Sequence, residues 1–227
     1  MRVSCTRIIR PTLTGRVIWL TIWPCASDWM SPLVRSPVAE LLEDLGAALG
    51  TLGVHWYLFG AQAAILYGVA RLTADVDATV QVPAAHPVPT WMPTLAAHRF
   101  KPRFADPAFL AQTRVLPLVH GPTTLPVDLV LAGPGLEEEF LARARRLAVD
   151  GVAVPVIDLT DLVVLKVLAA RPKDLDDVTT LIRVQGDSID GTRARHVLTM
   201  LEEALGQSDL VPTFERLQAA ARRRTRR

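Results

Sequence analysis

From residue 38 onward, the hydrophobic pattern of the chain switches between helical and strand periods. Val38, Leu41, Leu42, Leu45 and Leu49 fall on one helical stripe, closed by Gly50 and Gly53. Residues 55–59, His-Trp-Tyr-Leu-Phe, predict a short buried strand stopped by Gly60, and residues 61–67 predict a helix ended by Gly68. Residues 75–82 alternate cleanly. Asp75, Asp77, Thr79 and Gln81 share one face and Val76, Ala78, Val80 and Val82 the other, which predicts a strand with a polar face. A proline-rich stretch follows, after which residues 92–99 predict a helix and residues 100–104, 114–120 and 125–132 predict strands. Gly133-Pro134-Gly135 is a break, residues 136–147 read as a charged amphipathic helix, and residues 152–156 as a short strand. Beyond Asp158 the pattern is helical throughout, over 159–170, 175–185, 192–205 and 211–224. Strands mixed with helices, then a run of helices, predict an α+β domain with a helical C-terminal part beside it.

Composition changes this picture mainly at the ends. Half of the 227 residues are hydrophobic and 21% are charged, which suits a soluble chain with a real core. The net charge is +2, but residues 1–32 carry +3 and residues 222–227 carry +5, so the stretch between them is at −6. The body is acidic, and the terminal arginines read as a solvated tail or as contacts for RNA phosphates. Cys5 and Cys25 are the only cysteines and offer no zinc or disulfide framework, which agrees with a cytoplasmic setting. The apolar residues 17–23 are too short for a membrane span and lack the small-residue cleavage side of a secretory signal. These observations predict a poorly ordered extension over 1–35, an α+β domain over 36–157 and a helical domain with a basic tail over 158–227.

The chemistry concentrates between residues 59 and 77. A strand ends in the small turn Gly60-Ala61 and a helix begins, an arrangement whose backbone N–H groups can cradle phosphates. The helix leads to a strand opening with Asp75 and Asp77, whose spacing of two puts both carboxylates on one face. Asp128 then stands alone inside the apolar run 126–131, and a buried carboxylate is costly unless it is paired or bound to metal. Three carboxylates on neighbouring strands beside a phosphate-binding turn describe a two-metal phosphoryl or nucleotidyl transfer site. An Asp-x-Asp at a strand start is, alone, also what a solvated turn looks like. Asp128 and the glycine turn favour the metal reading.

With these residues in place, the chain resembles the minimal nucleotidyltransferase superfamily, and in particular its AbiEii-type toxin branch. The pattern there is strand, Gly-Gly or Gly-Ser, helix, Arg-x-Thr-x-Asp-x-Asp, with a third Asp on a later strand. Arg71, Thr73, Asp75, Asp77 and Asp128 match it. Lys166, with Lys173-Asp174-x-x-Asp177 after it, resembles that branch's lysine-bearing helix and the segment following it. The likeness spans about residues 38–185, and one departure is Ala61, which keeps the backbone N–H but lacks a serine hydroxyl.

The resemblance implies a polymerase-beta-like mixed sheet flanked by helices. It also implies two Mg²⁺ ions (or Mn²⁺) on Asp75, Asp77 and Asp128, and an NTP substrate held by Gly60, Ala61, Arg71, Thr73 and Lys166. It further implies a toxin–antitoxin or phage-defence setting, with tRNA as acceptor and a cognate antitoxin as partner. Two other readings stand beside it: an antitoxin-type enzyme that attaches AMP to a partner protein, and a catalytically silent nucleotide- or RNA-binding module. Several of these residues also have plain structural roles. Lys166 would snorkel from a packed helix or reach into the cleft. Asp174 would cap a helix with Asp177 at its third position. Arg71 would pair with an acidic neighbour. The five histidines show no ligand spacing, and no membrane partner is implied.

Overall fold

The computed structural model describes residues 35–104 and 106–225; the expectations for the N-terminal extension, Cys5 and Cys25 lie outside the described residues. The first helix, α1 (Pro37–Thr51), begins where the chain supplies both start signals. Ser36 accepts the Ala39 N–H on its hydroxyl at 3.3 Å, and Pro37 fills the first helical position, where no N–H is missed. Its apolar stripe, Leu41, Leu42, Leu45, Ala48 and Leu49, is fully buried.

The chain then lays down β1 (Trp56–Phe59), α2 (Gly60–Leu66), β2 (Val76–Val80), α3 (Met92–Ala97), β3 (Phe100–Pro102), α4 (Pro107–Thr113), β4 (Val115–His120) and β5 (Pro126–Leu131). It continues with α5 (Leu136–Arg143), β6 (Arg145–Val149), β7 (Val152–Val156), α6 (Leu159–Ala169), α7 (Pro172–Gln185), α8 (Gly191–Leu205) and α9 (Leu210–Thr225). The seven strands form one mixed sheet in the order β3-β4-β5-β2-β1-β7-β6. Pairs β2/β5 and β1/β7 are parallel and the rest antiparallel. The expected α+β class and mixed sheet are therefore present, with the run of helices after it.

Strand alternation gives the sheet two unlike faces. Leu58, Val76, Ala78, Val80, Leu118, Val127 and Leu129 share one face and are fully buried. Helix α1 lies on it: His120 of β4 meets Asp44 of α1 at 2.8 Å and bonds Thr123 at 2.8 Å, so this buried histidine is structural. The opposite face carries Asp77 and Asp128. A single hydrophobic cluster runs from Leu41 through Leu129 and Val163 to Leu198 and Phe214, so the C-terminal helices share the core of the sheet.

A second tie is ionic. Asp158 caps α6 through the Thr160 N–H at 2.9 Å and pairs with Arg145 of β6 and Arg193 of α8. Asp161, fully buried, takes Arg143 at 2.9 Å and Arg193 at 2.7 Å. This group fastens α5 and β6 to α6 and α8, and buried charges of this kind hold only because each is matched.

Two elements differ from expectation. The helix predicted over 136–147 stops at Arg143, and residues 145–149 form an edge strand paired with β7. The Asp158 partnership of Arg145 and the pairing with β7 override the local helical charge pattern. Helix α4, unpredicted, starts at Asp106-Pro107, where the Asp106 carboxylate accepts the Ala108 N–H at 2.9 Å. Among the described residues no helix is long and apolar enough to cross a membrane.

Candidate active site

The site grows from the β1–α2–β2 unit. Asp77 lies opposite Phe59 across the β1/β2 pair, one residue before Gly60. Gly60 has φ +67°, a conformation that side-chain-bearing residues rarely adopt. A Cβ at Gly60 would stand 2.9 Å from Asp77 Cγ and 3.1 Å from Asp77 Cβ, so the glycine admits the carboxylate. On the other side of β2, Asp77 is in direct register with Asp128 of β5. Register neighbours in a sheet point to the same face, so the two carboxylates stand side by side.

Asp75 sits just before β2 instead of opening it. It is exposed, with its N–H directed at the Thr73 hydroxyl at 3.4 Å. It still contributes to the field: burial first, then the carboxylates of Asp128 and Asp75, push the Asp77 carboxyl up to about 6. Asp77 is thus the carboxylate whose charge its surroundings disfavour. Among the described residues, no three His, Cys, Asp or Glu side chains are already close enough to hold a metal ion. Asp128 is engaged by Arg103, which follows β3 and reaches it from two strands away.

The remaining predicted residues form a second group behind the first. Arg71 pairs with Asp177 at 2.7 Å, as its plain structural reading anticipates. Lys166, expected to snorkel or to reach into the cleft, is only 4% exposed. Its ammonium meets Asp177 at 2.7 Å and Asp174 at 3.2 Å. Asp174 is not the helix cap: α7 starts at Pro172 with Arg171 as N-cap, because Pro172 pre-sets the first turn. The Asp174 carboxylate turns inward to Lys166 and Arg171. Burial pulls the Asp174 carboxyl upward, but Arg171 and Lys166 outweigh it and hold it below the usual carboxylate range.

The result is an alternating chain of charges, Arg71–Asp177–Lys166–Asp174–Arg171, joining the loop before β2 to α6 and α7. Arg171, mostly exposed, lies close enough to Asp77 to oppose its rise. Beside this chain a groove of about 420 Å³ is lined by Arg71, Leu72, Lys173, Asp176 and Asp177. A larger cavity of about 530 Å³ lies between α7, α8 and α9 and contains none of the three carboxylates.

Sequence reasoning missed Arg103 and Arg171. Arg171 had a local signal, its i,i+3 spacing to Asp174 just before a proline; Arg103 had none, because only strand register brings it to Asp128. Gly60 and Ala61 stand at the start of α2, whose capping residue Phe59 supplies no side-chain acceptor.

Residues 125–208 match the family described as "Nucleotidyl transferase of unknown function (DUF2204)". Among solved structures, the chain is similar to the crystal structure of an antigenic nucleotidyltransferase-like protein from Paracoccidioides brasiliensis. The identity is 17% and the TM-score 0.50, over 79% of this chain and 92% of that one. It is also similar to the solution structure of the antibiotic-resistance factor ANT(2'')-Ia, at 14% identity and TM-score 0.43 over 83% and 92% of the two chains. A crystal structure of ANT(2")-Ia in complex with adenylyl-2"-tobramycin gives 17%, 0.40, 83% and 98%. No curated protein matches the sequence. The structural likeness shows a nucleotidyltransferase-like fold, and the matched segment runs from β5 through α8.

Proposed function

We propose that the chain is a metal-dependent nucleotidyltransferase that moves a nucleoside monophosphate from an NTP to an acceptor hydroxyl and releases pyrophosphate. The observation that carries this reading is the side-by-side pair Asp77 and Asp128, with Gly60 shaped to admit Asp77. Hard carboxylate oxygens suit Mg²⁺ or Mn²⁺, and Asp77, raised by burial and two like-charged neighbours, is the kind of group a cation relieves. Asp75, Asp77 and Asp128 would hold two such ions. Bound there, divalent cations would supply charge neutralisation at the phosphates and a lowered pKa at the acceptor hydroxyl.

The chain's own residues do the positioning. Gly60 and Ala61 present backbone N–H groups to the phosphates, and Arg71 and Thr73 flank the loop leading to Asp75. Lys166 acts from behind: buried, it fixes Asp177, which in turn fixes Arg71. Asp174 holds Arg171 on the side facing Asp77. The motif likeness to the AbiEii-type branch supports a cytoplasmic toxin–antitoxin or phage-defence enzyme, with tRNA as acceptor and a cognate antitoxin as partner.

The test is incubation with each α-labelled NTP and Mg²⁺, with total tRNA or candidate proteins. Label in RNA supports this reading, and label in protein supports transfer of AMP to a partner. Nucleotide binding without any labelled product, at every NTP, would leave a silent binding module and refute transfer.

A further inference from the structure

One row of residues crosses the sheet at the level of the site. Arg103 donates its backbone N–H to the Pro117 carbonyl at 3.0 Å, Pro117 lies opposite Asp128, and Asp128 lies beside Asp77. All four share the face that carries the carboxylates. Between Arg103 and Asp128 stands only a proline ring, which offers the guanidinium no hydrogen-bonding partner, and the side chain passes over it to Asp128. The pair is only partly shielded, with the two side chains 36% and 34% exposed. By contrast the side chains of Lys166, Asp174 and Asp177 are 5%, 3% and 7% exposed. A buried ion pair resists separation, whereas a partly exposed one is weaker and exchangeable.

We propose that Arg103 is a displaceable counter-ion. It occupies Asp128 until a divalent cation takes that carboxylate, and it is then free to meet the phosphates of the incoming nucleotide. The inference rests on the metal reading of Asp75, Asp77 and Asp128. The physical balance favours the exchange: a divalent ion interacts with several carboxylates at once, and Arg103 with one. The released guanidinium stays tethered beside the site by its backbone bond to Pro117, and its planar fork suits phosphate oxygens. Arg103 thus keeps one carboxylate neutralised in the empty protein and offers a cation to the nucleotide in the loaded one.

The experiment titrates Mn²⁺ into the full-length protein without nucleotide, reading free Mn²⁺ by electron paramagnetic resonance. Arg103→Ala removes the competitor and should bind Mn²⁺ about two- to five-fold more tightly than wild type, the range expected for losing an exchangeable ion pair. Arg103→Lys keeps the charge and should stay near wild type. With Mn²⁺ saturating, Arg103→Ala should bind a non-hydrolysable NTP analogue more weakly. Unchanged Mn²⁺ affinity in Arg103→Ala, with affinity lost in Asp128→Asn, would overturn the counter-ion role alone. Wild-type Mn²⁺ affinity in Asp128→Asn would overturn the metal reading and this inference with it. Unchanged analogue affinity in Arg103→Ala would overturn the assignment to the phosphates.

Discussion

Gly60 and Gly53 have nearly the same backbone, φ +67° and +63°, but different surroundings. Nothing lies within 4 Å of a Cβ placed at Gly53, whereas one at Gly60 overlaps the Asp77 carboxylate. Replacing each by alanine therefore separates backbone strain from the contact. Gly53→Ala should cost about 1–2 kcal/mol, the penalty for an L-residue in a left-handed conformation. Gly60→Ala carries that cost plus overpacking against Asp77, about 1–3 kcal/mol more. For a domain of this size, each kcal/mol lowers Tm by about 2–4 °C. Thermal melts should place Gly60→Ala clearly below Gly53→Ala. Because Asp77 must shift by a fraction of an ångström or more, label incorporation should fall by about 10²-fold in Gly60→Ala and stay near wild type in Gly53→Ala. Equal melting losses and equal turnover in the two variants would show that Gly60 is a turn residue only. The claim that it makes room for Asp77 would then fail.

Two further perturbations follow from the charges. Asp77→Asn should abolish incorporation, yet in chelator at pH 7.5 it should be about 1–2 kcal/mol more stable than wild type, since it removes a desolvated charge beside two carboxylates; a lower melting temperature would contradict that account. Asp174→Asn leaves Lys166 with one carboxylate instead of two and should cost about 1–3 kcal/mol at neutral pH. Because the Asp174 carboxyl is held below its ordinary value, the wild-type advantage should be full above about pH 4 and should vanish as pH falls through the folded value. Denaturant midpoints from pH 7 to 2 measure it, and a gap that widens in acid would reverse the sign.

Much of the frame was legible because its determinants are local. The glycine breaks at 60 and 68 bracket α2, and the alternation over residues 75–82 marks β2, which spans Val76–Val80. The carboxylate pair was legible for the same reason, since a lone Asp128 in an apolar strand calls for a partner. Helix α4 and strand β6 were not read. For α4 the signal is local, Asp106-Pro107, whereas β6 depends on pairing with β7 and on Asp158, thirteen residues from Arg145. The start of α7 at Pro172 moved Asp174 from a cap to the inside of the first turn, which decides what its carboxylate can touch.

The cationic residues were the least legible, and the reason is physical. A carboxylate in an apolar strand announces a problem of charge, but an arginine reaches so far that its partner is set by register. Lys166 illustrates one side of this: the sole charge between residues 162 and 170, it is expected from sequence to reach the cleft, with snorkelling as the alternative. The decision came from Asp174 and Asp177, eight and eleven residues further along the chain on another helix. Arg103 illustrates the other side. Its position depends on β3 pairing with β4 so that residue 103 meets Pro117, and on β4 pairing with β5 so that Pro117 meets Asp128. A one-residue slip in either pair would turn the guanidinium to the opposite face and leave Asp128 without a counter-ion. Register therefore decides whether the carboxylate pair meets a cation with one partner already in place, and that arrangement is what the Mn²⁺ titration measures.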